Sequence, residues 1–136
     1  MIVAIDGPSG AGKSTVAKAV AKKLGFSCLD TGAMYRAVAW RAVQDGVPLD
    51  DAEACGRIAR EKEIAFRHEA GDPVPRRVFI DGDEVTDAIR TAEIDRAVSP
   101  VSALPSVREA LLGQQRRIGA AGDFVVEARD IGTVVF

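Results

Sequence analysis

The segment from Gly7 to Ser14 restricts the fold of this chain more than any other part of the sequence. It reads Gly-Pro-Ser-Gly-Ala-Gly-Lys-Ser, in which two glycines flank four residues and are followed by lysine and serine. The apolar run Ile2–Asp6 precedes it, and Ser14–Leu24 has apolar residues at helical spacing. Because the loop lies between a predicted buried strand and a predicted helix, we interpret it as a P-loop and not as a plain glycine turn.

A P-loop binds phosphate, since its backbone N–H groups point inward and the following helix adds the positive end of its dipole. We predict that Lys13 reaches the β- and γ-phosphates as a catalytic residue and that Ser14 is a ligand of Mg²⁺, the expected cofactor. The motif specifies ATP or a similar triphosphate but leaves the acceptor open. The predicted ATP-binding residues are Gly7, Pro8, Ser9, Gly10, Ala11, Gly12, Lys13, Ser14 and Thr15.

Strands and helices alternate along most of the chain, which predicts an α/β fold with a parallel sheet flanked by helices. Between 63 and 86 the pattern changes to short strand-like runs and the tight turn Asp81–Glu84, which indicates a small antiparallel insert. Further strands are predicted at Phe26–Asp30 and Phe124–Glu127, and helices at Gly32–Gln44, Asp51–Lys62, Ala92–Ala97 and Pro105–Ile118. We expect a P-loop core beginning at 1–62, an insert at 63–91, and helices with a third core strand at 92–136.

The composition predicts one soluble globular domain without strong attraction to polyanions. The 136 residues include 18 basic and 20 acidic side chains, a formal charge of −2, which argues against nucleic acid or an anionic membrane as partner. The apolar start is a strand and not a signal, and no run approaches the roughly 20 apolar residues of a membrane span, so we expect a cytoplasmic protein. His68 has no second histidine or cysteine at ligand spacing, and we interpret it as a surface residue.

Polar residues follow the second and third predicted strands, at the sheet edge where open α/β sheets bind ligands. Thr31-Gly32-Ala33-Met34-Tyr35-Arg36 follows one strand, and Ala128-Arg129-Asp130-Ile131-Gly132-Thr133 follows the other. Each residue alone also has a structural interpretation. Arg36 fits a solvated helix face, Arg108 and Glu109 fit a helix-surface pair, and Tyr35 fits a core aromatic residue with a satisfied hydroxyl.

Taken together and in order, the segments 29–36, 87–91, 99–102, 107–112 and 127–133 behind the P-loop resemble the bacterial cytidylate kinase family. The resemblance implies ATP-dependent phosphorylation of CMP and dCMP to CDP and dCDP, within pyrimidine nucleotide metabolism. It makes 63–91 the insert that binds the nucleoside monophosphate. It also implies that Arg36, Arg129 and Asp130 are catalytic together with Lys13, and that CMP is bound by Thr31, Tyr35, Arg36, Ser99, Arg108, Arg129 and Asp130.

Family members continue past the position of Phe136 through two more sheet strands and an arginine-bearing lid, and they have glycine at the position of Ala128. We therefore expect a C-terminally truncated chain with an incomplete core and weak or no activity. ATP and CMP or dCMP are the expected partners, with a monomeric full-length protein and possible self-association of the fragment through an open sheet edge. Two alternatives stay open: a nucleotide-binding fragment without turnover, and a P-loop kinase for another small acceptor.

Overall fold

The computed structural model describes residues 2–5 and 13–127, apart from the side chains of Ala4, Lys13, Ser14 and Glu127. It confirms the predicted α/β class, with a parallel sheet flanked by helices and a small antiparallel sheet. No helix in the described ranges is long and apolar enough to cross a membrane. The elements are β1 (Ile2–Ile5), α1 (Lys13–Leu24), β2 (Ser27–Leu29), α2 (Thr31–Gln44), α3 (Ala52–Glu61), β3 (Ile64–Arg67), β4 (Arg77–Ile80), β5 (Asp83–Glu84), a 3₁₀ turn (Ala88–Arg90), α4 (Ala92–Ser102), α5 (Pro105–Ala120) and β6 (Phe124–Glu127).

The parallel sheet has the order β1-β6-β2, so the last strand along the described chain lies in the middle. Ile2 pairs with Phe124 on one side of β6, and Leu29 pairs with Val126 on the other. Helix α1 packs on this sheet through Ala17 and Ala21, which are buried with Val125 of β6. Small side chains on the helix let it approach the sheet closely, and the larger apolar residues of the strands fill the layer between them.

The outer edge of β2 is covered by the segment 68–73, which corrects the interpretation of His68 as a surface residue. The Cys28 N–H donates to the Pro73 carbonyl at 2.6 Å, and His68 Nε2 donates to the Cys28 carbonyl at 3.1 Å. The imidazole is half-buried and meets the Phe124 ring edge to face, with centroids 6.4 Å apart. His68 therefore satisfies a strand-edge carbonyl, a role that its sequence neighbourhood does not reveal.

The antiparallel sheet has the order β3-β4-β5 and confirms the predicted small antiparallel structure and its turn. Ile80 pairs with Asp83, and the two residues between them have positive φ, 51° for Asp81 and 83° for Gly82. A two-residue hairpin turn with both central residues in the left-handed region matches the twist of the flanking strands. The Asp-Gly sequence supplies this conformation, since both residue types tolerate positive φ.

Helix α4 runs to Ser102 and includes Pro100, whereas the sequence predicted that it ends at Ala97. Ile94, Ala97 and Val101 are all buried at helical spacing, so packing continues across the proline. Pro100 lacks the N–H that would donate to the carbonyl one turn earlier, which is a cost to the helix. Packing of the apolar face outweighs the local tendency of the residue before proline to leave the helix.

By internal contacts, the described residues fall into two compact units. One takes its residues from 1–31, 67–76 and 115–136, and the other consists of 32–66 and 77–114. This division groups residues by proximity and leaves the predicted domain boundaries at 62/63 and 91/92 as predictions.

The second unit contains a buried glutamine that joins α3, β3 and α5. Gln114 Nε2 donates to the carbonyls of Ala59 and Lys62 at 2.7 and 2.9 Å, and its Oε1 accepts from the Ile64 N–H at 2.8 Å. One side chain thus forms hydrogen bonds with two carbonyls at the end of α3 and with the N–H of the first residue of β3. Buried backbone groups of this kind must be paired, because an unpaired one loses its hydration without compensation.

We predict that Gln114→Leu lowers the free energy of unfolding by about 2–4 kcal/mol, because it leaves buried carbonyls and an N–H unpaired. Gln115→Leu is the matched control, because the neighbouring amide is also buried but its Oε1 has no partner among the described residues. Urea unfolding of both variants measures the difference. Equal losses would show that the three hydrogen bonds of Gln114 contribute nothing specific.

A second prediction concerns the close approach of α3 and α5 at Gly56. A Cβ at this position would lie 2.8 Å from Ser106 Cβ and 2.9 Å from its Oγ, which donates to the Ala52 carbonyl at 2.6 Å. We expect Gly56→Ala to destabilise the fold by about 1–3 kcal/mol despite the better helix propensity of alanine.

The control for Gly56 is Gly113, an exposed glycine in α5 where an added Cβ meets nothing within 4 Å. Gly113→Ala should stabilise the protein by about 0.5–1 kcal/mol, since only helix propensity changes. Thermal unfolding should therefore shift in opposite directions for the two variants. A stabilised Gly56→Ala variant would contradict the packing argument.

Candidate functional site

Three predicted site residues belong to the second unit. Tyr35 and Arg36 are on the second turn of α2, and Arg108 is on the first turn of α5. In α2, Ala33, Met34, Ala37 and Val38 form an apolar stripe at helical spacing, and Ala39 and Ala42 are buried as well. Tyr35 and Arg36 flank this stripe and are half-buried.

Arg36 is held by two oxygen acceptors. Its Nη1 donates to the backbone carbonyl of Ile89 at 3.0 Å and to Asp95 Oδ1 at 2.5 Å. The side chain is 27% exposed. Arg36 is therefore not merely a solvated helix face, and its guanidinium has a defined orientation with one edge anchored in the protein.

Tyr35 and Arg108 interact electrostatically. Burial raises the pKa of the Tyr35 hydroxyl, and the charge and side-chain hydrogen bond of Arg108 act in the opposite direction. The residue that acts on the Tyr35 hydroxyl is thus itself a predicted ligand-binding residue. The two guanidinium groups and the phenol on α2 and α5 are a set of side chains chemically suited to a phosphorylated aromatic ligand.

The other predicted acceptor residues in the described ranges have less defined roles. Ser99 is exposed on α4, one turn after Asp95, and its carbonyl accepts from Ser102 Oγ at 3.2 Å. Thr31 is the first residue of α2 and is half-buried. Thr15 is exposed on the first turn of α1. Their assignments to CMP or ATP remain predictions.

Several predicted residues lie outside the described part of the structure. These include the backbone of the loop from Gly7 to Gly12, the side chains of Lys13 and Ser14, and the pair Arg129 and Asp130. The predicted ATP and Mg²⁺ contacts and one of the three predicted acceptor arginines, Arg129, therefore stay as sequence predictions.

The sequence did not point to Asp95 or to the Ile89 carbonyl, the two partners of Arg36. Asp95 reads as one of two acidic residues in the first turn of α4, where acids are common because they complement the helix dipole. Ile89 contributes through its backbone, which carries no side-chain signal. Neither contact can be inferred from spacing, since the partners are separated from Arg36 by more than fifty residues.

The parallel sheet with α1 after β1, together with the small antiparallel sheet, defines an α/β protein of the P-loop kinase class. The family model described as cytidylate kinase matches residues 3–136, and the chain belongs to the cytidylate kinase family.

Curated relatives of this chain carry the same family name. The chain is 50% identical over 133 residues to a cytidylate kinase of Desulfitobacterium hafniense, covering 98% of this chain and 56% of that protein. It is 51% identical over 136 residues to a cytidylate kinase of Citrifermentans bemidjiense, covering 100% of this chain and 57% of that protein. A bifunctional pantoate ligase/cytidylate kinase of Synechococcus sp. is 52% identical over 135 residues, covering 99% of this chain and 25% of that protein. The chain thus spans about half the length of these two cytidylate kinases and a quarter of the bifunctional protein.

The Tyr35–Arg108 pair predicts a distinctive titration, because Tyr35 is the only tyrosine in the chain. Its pKa should lie above the ordinary value of about 10, and Arg108→Ala should raise it further by removing the favourable charge and hydrogen bond. Ultraviolet absorbance of the tyrosinate measures both values, with Glu109→Gln as the control on the same exposed turn.

The same pair has a consequence for stability against pH. The pKa of the Tyr35 hydroxyl is higher in the folded protein than in the unfolded chain. Neutral Tyr35 therefore makes its full contribution to the free energy of unfolding below pH about 10, and this contribution is lost as the pH rises through the folded pKa. A pKa that falls or stays constant in Arg108→Ala would contradict the pairing of these two side chains.

Proposed function

We propose that this protein acts in the phosphorylation of CMP and dCMP, with transfer of the γ-phosphoryl group of ATP to give CDP or dCDP and ADP. The observation that carries the proposal is the guanidinium of Arg36, which is oriented by the Ile89 carbonyl and Asp95. The family membership and the names of the curated relatives support the same reaction.

In the proposed reaction, a phosphate oxygen of CMP attacks the γ-phosphorus in line with the departing ADP. This reaction needs positioning and charge neutralisation more than covalent help from the protein. Arg36, with Arg129, would bind the acceptor phosphate through paired N–H donors, which reduces the repulsion between two anionic substrates. Lys13 and the P-loop backbone would hold the phosphates of ATP.

Recognition of the pyrimidine is proposed for Ser99, Arg108 and Asp130, with Thr31 and Tyr35 against the nucleotide. Cytosine presents an exocyclic amine donor and ring acceptors, so a hydroxyl, a guanidinium and a carboxylate provide matching partners. Tyr35 adds an aromatic surface on which a nucleotide can pack.

Mg²⁺ is the proposed cofactor and would reach the site with ATP. Ser14 is its proposed protein ligand, and the ion supplies charge neutralisation at the β- and γ-phosphates when it is bound. ATP and CMP or dCMP complete the proposed set of partners. A cytoplasmic, monomeric protein without nucleic-acid or membrane partners is part of the same proposal.

Arg36→Ala tests the acceptor side. We expect this variant to bind CMP about 10- to 100-fold more weakly, because charge-assisted hydrogen bonds of this kind contribute about 1.5–3 kcal/mol. Cytidine, which lacks the phosphate, should bind within about twofold of its affinity for the unmodified chain, so calorimetric titration of both ligands separates phosphate binding from base binding.

Arg41→Ala is the matched control, because Arg41 lies on the same helix and its ion pairs are with Asp45, Asp81 and Asp83, none of which is a predicted site residue. A coupled ADP-release assay with Mg·ATP and CMP, AMP, UMP or shikimate then tests the acceptor. Preference for AMP or shikimate would contradict the proposed substrate, and CMP binding without ADP release would limit this chain to nucleotide binding.

A further inference from the structure

Within residues 2–5 and 13–127, the hydrogen bonds of Arg36 use one nitrogen and leave the opposite edge of its guanidinium available. Nη1 carries two hydrogens, and its two acceptors are the Ile89 carbonyl and Asp95 Oδ1. Among the described residues, Nε and Nη2 have no partner. Their parallel N–H groups form the fork that binds a phosphate through two hydrogen bonds.

Both acceptors are held in place by local structure. Ile89 is fully buried in the 3₁₀ turn before α4, so its carbonyl is fixed by core packing. Asp95 stands in the first turn of α4, whose start is capped by Thr91 Oγ1 accepting from the Ile94 N–H. A capped helix start favours an acidic residue at this position and limits its movement.

We propose that Asp95 is a positioning residue for acceptor binding, which acts by holding Arg36 through Nη1 so that Nε and Nη2 face the phosphate of the nucleotide. The inference rests on the proposed function and adds to it a residue outside the predicted site. Asp95 is not expected to touch the substrate. Its carboxylate is 57% exposed and therefore remains hydrated, so the ion pair forms without a large desolvation penalty.

In an alternative role, the Asp95 carboxylate would compete with the CMP phosphate for the guanidinium of Arg36 and would be displaced when the phosphate binds. The geometry favours positioning, because the Asp95 bond uses Nη1 together with Ile89 and leaves the fork on the other edge free among the described residues. The two roles predict opposite results. Removal of a competitor tightens CMP binding, whereas removal of a positioning group weakens it.

The test is a double-mutant cycle on the full 136-residue chain, with CMP and cytidine as ligands in calorimetric titrations. The variants are Asp95→Ala, Arg36→Ala and both together. Asp95→Ala should weaken CMP binding by about 3- to 10-fold, the range of a lost orienting hydrogen bond to a charged group. Cytidine binding should stay within about twofold, and Asp95→Ala should have no further effect once Arg36 is removed.

Two further variants separate orientation from charge and from general stability. Asp95→Asn keeps an oxygen acceptor for Nη1 and should return CMP affinity to within about twofold of the original. Asp45→Ala removes an exposed partner from Arg41 on the same helix and should leave CMP affinity unchanged.

Tighter CMP binding in Asp95→Ala would overturn the proposal. It would also be overturned by equal losses in the Ala and Asn variants, or by an undiminished loss when Arg36 is absent. If the unmodified chain binds CMP no more tightly than cytidine, the proposed function fails and this inference fails with it. A failure confined to the Asp95 variants leaves the proposed function intact.

Discussion

The parallel sheet depends on the pairing of β6 with β1 on one side and β2 on the other. Ile2 and Phe124 lie more than a hundred residues apart, and closing a loop of that length costs about 4 kcal/mol in chain entropy. Burial of Leu29, Val125 and Val126 together with Ala17 and Ala21 of α1 offsets this cost. The core of the first unit therefore forms only when the end of the described chain has returned to its beginning.

The second unit is built on a different principle, in which buried polar groups and small residues set the distances between helices. Gln114 ties α5 to the end of α3 and to β3, and Gly56 lets α3 approach Ser106. Tyr35, Arg36, Asp95 and Arg108 all belong to this unit. Their geometry thus depends on a core without any of the parallel strands, and the proposed acceptor residues on it are ones that the P-loop motif does not specify.

Local sequence was sufficient for most of the elements. The strand at Phe124–Glu127 was predicted with its observed bounds, and α1 and α2 differ from their predicted starts by one residue. Local sequence gave wrong predictions where tertiary contacts determine the structure. Helix α4 continues through Pro100 because Val101 is buried, and His68 forms a hydrogen bond with a carbonyl of β2 that is distant in sequence. Periodicity records the side of an element that is buried but not the partner that buries it.

The same limit explains why Arg36 was predicted and Asp95 was not. Arg36, the proposed phosphate-binding arginine, lies in a segment that resembles the family, while its ion-pair partner Asp95 lies 59 residues away with only a helix-start signal. A carboxylate near a bound phosphate costs free energy through charge repulsion, and the size of this repulsion can be estimated. Two unit charges about 7 Å apart in water repel by about 0.6 kcal/mol, which is smaller than the 1.5–3 kcal/mol of a hydrogen bond to a charged group. An exposed carboxylate can therefore orient a guanidinium beside a phosphate and still give a net gain, provided that it bonds to the edge of the guanidinium that the phosphate does not use.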